Sequence, residues 1–124
     1  MLDKDIEQTI ASLHSRHING IFARNSQEAR VIILSLIPAG AIVGIGDSTA
    51  IRQLGIPQVL KKRGIKVLDA FEPHVTTIDP KDAQVNHDKT IIEATISDVF
   101  LTGTNAITQD GRLVNMGAMR VCLR

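Results

Sequence analysis

Tryptophan and tyrosine are missing from this 124-residue chain, and aromatic residues make up only 2 % of it. Proteins that hold single-stranded nucleic acid stack its bases on aromatic side chains, so almost no platform of that kind exists here. An excess of one charge is missing too. Fourteen lysines and arginines against 13 acids leave a formal net charge of +1, and the two signs are interleaved. No basic footprint for a polyanion results, and nucleic acid is not an expected partner. Cys122 is the only cysteine, which excludes an internal disulfide and fits a reducing, cytoplasmic setting. A lone cysteine there reads as a small core filler rather than a nucleophile. No apolar run approaches the roughly 18 residues of a membrane span. The opening "MLDKDIEQTI" is acidic and amphipathic, unlike a secretory leader.

Apolar residues make up 44 %, which is ordinary for a globular chain and suits one domain over residues 1–124. Ile6, Ile10, Leu13 and Ile18 recur near helical spacing, so a helix is expected over 3–18, with Asp3 and Asp5 at its positive end. "GIFAR" reads as a short strand. "SQEARVIILSLI" reads as a helix opened by Ser26 and stopped by Pro38 and Gly40. "AIVGI" (41–45) is a continuous apolar run of the kind found in strands buried on both faces. A helical turn or two over "STAIRQLG" and a helix over "IPQVLKKRG" follow, the latter with Pro57 in its first turn and Gly64 past its end. "IKVLDA" reads as a strand and "FEPHVTTIDP" as a loop. "KDAQVNHDKTIIEATIS" reads as a helix with Val85, Ile92 and Ile96 toward the core, and "DVFLTG" as a strand. In "ITQDGRLVN", Asp110-Gly111 between alternating segments marks a tight hairpin. Alternating helices and short apolar strands give an α/β fold, a mainly parallel sheet with helices on both faces.

In such sheets ligands bind beyond the carboxyl ends of the strands. Two loops qualify, "GIGDST" and "TGTNA". Gly44 and Gly46 let the backbone turn sharply and come close to a ligand. Asp47, Ser48 and Thr49 stand at a helix start, where unpaired N–H groups attract anions. Asp47 disfavours phosphate, because like charges a few Å apart repel by roughly 1–4 kcal/mol. It suits instead a hydrogen bond to sugar hydroxyls or the work of a general base. The same three residues also serve as helix caps, worth about 1 kcal/mol. The dinucleotide fingerprint is half met, since its third glycine would fall at Thr49. Thr102, Thr104 and Asn105 offer uncharged donors and acceptors, to a substrate or to their own backbone. His14 and His17, on the first helix, lack the third ligand that a metal needs, and His87 and Asp88 read as surface residues. His74, beside Glu72 in the proline-rich loop, is a candidate acid or base. "KKRG" (61–64) is a basic helix end that suits the dipole without a partner.

"VGIGDSTAIRQLG", "VLKKRGIKVLDAF" and "SDVFLTGTNAITQDGRLVN" together resemble the LUD domain, of the lactate utilisation protein C type. The resemblance runs from about Ser26 to Asn115, and "TNAIT-DG-LVN" is its most specific block. The glycine loop alone also resembles the phosphate loop of ribose-5-phosphate isomerases. The resemblance implies the fold shared with those enzymes, with glucosamine-phosphate deaminases and with CoA transferases. It implies a cytoplasmic protein that works with iron–sulfur partner proteins in oxidising L-lactate to pyruvate. It carries over Gly44, Gly46, Asp47, Ser48, Thr49, Thr104, Asn105 and Asn115 as ligand-binding candidates, with Asp47 as the catalytic one. LUD domains usually continue past this hairpin, so the chain is expected to be short at its C-terminal end. A sheet without its last strands exposes an edge and an apolar face, which suggests a homo-oligomer. One cysteine cannot hold an iron–sulfur cluster, so any cluster is expected on a partner.

Three functions compete. The first is binding or catalysis on a small hydroxy acid or sugar-phosphate-like molecule. The second is a non-catalytic assembly subunit of an oxidoreductase complex. The third is an isomerase- or transferase-like reaction on a phosphosugar or a CoA ester. No residue pattern specifies a metal.

Overall fold

Asp3 sets the start of helix α1 (Lys4–Ser15), its side chain accepting from Asp5 N at 2.9 Å. Asp5 and Glu7 fill the first turn, where negative charge suits the dipole. The computed structural model describes residues 3–71 and 80–115. The helix stops at Arg16, before the expected Ile18, because His17 turns left-handed at φ 62°. His17 is therefore off the helix that carries His14. Residues 20–24 form no strand, a correction to the reading of "GIFAR". Helix α2 (Ser26–Leu36) follows. Its cap is Asn25 rather than Ser26, with Asn25 Oδ1 accepting from Glu28 N at 2.8 Å and Glu28 reaching back to Arg24 N.

Strand β1 (Val43–Ile45) is buried at all three residues, as expected of a central parallel strand. The short helix α3 (Thr49–Gln53) and α4 (Ile56–Lys62) come next. Gly55, left-handed at φ 67°, separates them, and Pro57 sits in the first turn of α4. Gly64, at φ 74°, turns the chain toward β2 (Val67–Asp69). Helix α5 (Pro80–Thr95) returns it to β3 (Val99–Leu101). The three strands form one parallel sheet in the order β2-β1-β3. Strands β4 (Ala106–Ile107) and β5 (Leu113–Val114) make a separate antiparallel hairpin. Gly111 at φ 84° closes it, as the Asp-Gly pair predicts. The proposed loop over 71–80 falls almost wholly outside the described residues, with His74 and Glu72. So does Cys122.

Two compact units result. One holds α1 and the β4–β5 hairpin, and the other runs from Arg30 to Gly103. In the second unit side chains alternate across the sheet. Val43, Ile45, Val67, Val99 and Leu101 pack with Ile33, Leu34 and Ile37 of the α2 region and with Ile51, Ile56 and Leu60. Val43, Ile45, Ile56 and Leu60 are fully buried, each contributing about 1.5–3 kcal/mol relative to exposure. The opposite face, at Gly44, meets α5. A Cβ on Gly44 would sit 2.5 Å from Ala94 O and 2.7 Å from Ser97 Oγ. Helices thus cover both faces.

The expected inward face of α5 needs correction. Val85, Ile92 and Ile96 are 65 %, 64 % and 80 % exposed, whereas Ala94 is buried. The reason is the closeness of the backbones at Gly44. A helix that approaches a strand this tightly must present a small residue, and Ala94 is that residue. The β-branched side chains are turned to the other side.

In the first unit, the hairpin turn packs on α1. A Cβ on Gly111 would meet the carbonyl of Ser12 at 2.9 Å. Arg16 Nε donates to Asp110 O at 2.8 Å.

Candidate functional site at the strand ends

Ile45 and Leu101 are register partners at the carboxyl ends of β1 and β3. Gly46 N extends that ladder by donating to Leu101 O at 2.8 Å. From β1 the chain goes on through α3 and α4 to β2 on one side of it, and β3 lies on the other side. The gap between the ends of β1 and β3 is thus the place where the strand order reverses. Open α/β sheets hold their ligands at such a point.

Two loops meet there, and glycines let them. A Cβ on Gly46 would lie 2.8 Å from Thr102 Oγ1, and one on Gly103 would lie 2.8 Å from Ser48 Oγ. A side chain at Gly46 would press on Thr102 and Phe100, and one at Gly103 on the Ser48 hydroxyl. Neither Gly44 nor Gly46 has a positive φ, so neither supplies the sharp turn expected of it. Gly44 lies within β1 and makes room for α5, and Gly46 makes room for Thr102.

Ser48 is buried and caps α3, its Oγ accepting from Ile51 N at 3.3 Å. The cap that the sequence offers is therefore present. Its helix is a five-residue one, too short for much of a dipole. Asp47 and Thr49 are exposed. Among the described residues the Asp47 carboxylate makes no hydrogen bond or ion pair. Asp47 is therefore not an N-cap. Thr102 is likewise exposed at this end.

Thr104, Asn105 and Asn115 belong to the hairpin, in the other unit. Thr104 Oγ1 donates to Val114 O at 3.1 Å, and Asn105 N donates to the same carbonyl at 3.1 Å. These two residues brace the hairpin, and all three are exposed. Within the second unit, the residues brought together are Gly46, Asp47, Ser48, Thr49, Thr102 and Gly103.

An ion pair at the same end of the sheet was not singled out in the sequence. Asp69 closes β2, and both of its oxygens accept from Arg52 of α3, at 3.0 and 2.8 Å. Its side chain is 2 % exposed, and that of Arg52 is 27 % exposed. Asp69 is the one buried carboxylate among the described residues. Its Oδ1 also accepts from Phe71 N at 3.0 Å. The signal was an acid ending an apolar strand, "VLDA", with an arginine on α3, two helices back. His87, read as a surface residue, is half-buried. Its Nδ1 lies 2.8 Å from Ala70 O, and Phe71 meets its ring edge-on.

Two surface grooves lie elsewhere, both along α1. One, of about 340 Å³, is bordered by Glu7, His14 and Asn19. The other, of about 250 Å³, is lined mainly by apolar residues, among them Ile10, Phe22 and Ile107. Both are lined by residues of the first unit alone. We place the candidate chemistry at the strand ends because the loops that carry Asp47, Thr49 and Thr102 come close to each other there at Gly46 and Gly103. Among the described residues no group of three metal-binding side chains occurs, and no helix is long and apolar enough to cross a membrane.

A family model described as the LUD domain matches residues 6–119. No curated protein and no solved structure matches the chain.

Proposed function

On the premise that the chain belongs to the LUD domain family, we propose that it binds a small hydroxy acid at the carboxyl ends of β1 and β3. The observation that carries this reading is Asp47, an exposed carboxylate without a partner among the described residues. It stands where two glycine-bearing loops touch. A carboxylate accepts hydrogen bonds and repels anions, so it selects a hydroxyl as its neighbour. The hydroxyls of Thr49 and Thr102 both donate and accept, and suit a carbonyl or carboxylate oxygen on the same molecule.

A role in L-lactate utilisation follows from the family resemblance. Oxidation of a 2-hydroxy acid needs a base near the hydroxyl proton, and Asp47 has the chemistry for it. The chain's one cysteine, Cys122, does not fit the four thiolates that an iron–sulfur cluster needs. Partner proteins would carry any such cluster. A sugar-phosphate-like ligand is the less favoured class, because Asp47 opposes a dianion and Arg52 is already paired with Asp69.

The test is a thermal-shift titration of the chain with L-lactate, pyruvate, sugar phosphates and CoA esters. At a hundred times its dissociation constant a ligand adds about 2.7 kcal/mol. A shift with L-lactate that falls at least tenfold in apparent affinity in Asp47→Ala is the expected result. A shift unchanged by Asp47→Ala would move the site elsewhere. Stable association with an iron–sulfur protein, untouched by Asp47→Ala and without ligand binding, would favour the assembly subunit.

A further inference from the structure

Val85 and Ile92 of α5 and Ile96, one residue past its end, are 65 %, 64 % and 80 % exposed. With the helical spacing carried one residue past Thr95, the three fall within roughly 40° of one another at 100° per residue, on a line about 16 Å long. Ala94, buried against the sheet, lies diametrically opposite. The helix therefore carries two apolar faces. One is small and engaged, and the other is bulky and β-branched. Lys89 and Glu93 flank the bulky line on one side, 3.7 Å apart, with side chains 73 % and 41 % exposed. Asp88 flanks the other side and accepts from Gln84 at 2.8 Å.

We propose that this face pairs with a second copy of the same chain, the two α5 helices running antiparallel about a two-fold axis near Ile91. The pattern is self-complementary, as an interface of this symmetry requires. With the axis level with Ile91, Ile92 and the partner's Ile92 are offset by about 3 Å along the helix, and Val85 and the partner's Ile96 by about 1.5 Å. In an antiparallel pair, like flanks face each other. Lys89 then stands level with the partner's Glu93, and Glu93 with the partner's Lys89. On the opposite flank the two Asp88 carboxylates are staggered by about 9 Å along the axis, so they do not oppose the pairing. A single helix face gives a contact at the small end of the range for specific interfaces, so the dimer is expected in the micromolar range. This inference stands apart from the ligand reading and uses none of its residues.

The test is sedimentation equilibrium on the full chain from low to several hundred micromolar, with thermal melts as the check on folding. The expected result is a monomer–dimer equilibrium that Ile92→Glu abolishes without changing the monomer's melt. Lys89→Glu and Glu93→Lys should each weaken the dimer about tenfold, and the double exchange Lys89→Glu/Glu93→Lys should recover it. Three results would overturn the proposal. They are a chain monomeric throughout, as expected if a different protein covers α5; a dimer indifferent to Ile92→Glu; and a double exchange no better than the single ones.

Discussion

Replacing Gly44 by alanine separates two uses of a glycine at this position. The added Cβ would lie 2.5 Å from Ala94 O, 2.7 Å from Ser97 Oγ and 2.9 Å from Ala94 Cα. Two of those atoms are backbone, so no rotamer change relieves the clash, and α5 must move off the sheet. Overpacking of this sort costs about 1–3 kcal/mol. The shift also strains the bond from Gly44 N to Ser97 Oγ, 3.1 Å long, worth about 1 kcal/mol. The alanine returns about 0.4–1 kcal/mol by restricting the unfolded chain, since φ at Gly44 is not positive. The expected net loss is about 1–3 kcal/mol, or a fall in Tm of roughly 4–12 °C for a chain of this length. Urea unfolding with an unchanged m-value, alongside calorimetry, measures it. A Gly44→Ala protein as stable as the parent, or more so, would refute the packing argument. It would restore Gly44 to the ligand loop, where a change in affinity without a change in stability is the mark.

Two other perturbations test the rest of the frame. Asp69→Asn removes one partner of a bidentate pair and leaves the Arg52 guanidinium with a neutral neighbour. A loss of about 2–3 kcal/mol is expected in urea unfolding, below the range for fully buried pairs because Arg52 is 27 % exposed. A loss under about 0.5 kcal/mol would place the pair among ordinary surface contacts. Asp110 has its pKa lowered from the ordinary 3.8, first by the hydrogen bond from Thr108 Oγ1 and then by the charges of Arg112 and Arg16, against some desolvation. A carboxyl with a depressed native pKa stabilises fully above its unfolded value. That contribution is lost as pH falls through the native value. Thr108→Val should therefore raise the Asp110 pKa toward the ordinary value in an NMR titration and remove part of the acid-limb change. An unchanged titration would argue against the bond.

The sequence made strand β1 and the hairpin legible because both are local. Val43 to Ile45 is an apolar run, and Asp110-Gly111 names its own turn. Pro57 and Gly64 likewise marked the ends of α4. The carboxyl-end loops could be placed from the α/β alternation, and Asp47 from the charge that sits in one of them. Which side of α5 faces the sheet was not legible. Its large apolar residues look like a core face, and the deciding contact pairs Gly44 with Ala94, fifty positions apart. The Arg52–Asp69 pair was hidden for the same reason. The cap of α2 was misplaced by one residue because Asn25 and Ser26 are both good caps, and the reach of Glu28 to Arg24 N picks the former. "GIFAR" is a short apolar stretch read as a strand, but among the described residues no strand pairs with it.

The order of manufacture of the sheet has a consequence of its own. The central strand is the first to leave the ribosome, and both neighbours come later, Val67 to one side of Val43 and Val99 to the other. At about 5–20 residues per second, the nascent chain holds an apolar strand with two unsatisfied edges for several seconds. Parallel pairing allows no quick hairpin to cover it. The short helices α3 and α4 can collapse on one face meanwhile, but the second edge stays open until Leu101 has been made. This arrangement gives the newborn chain a window in which a chaperone, or another nascent copy, competes with β3.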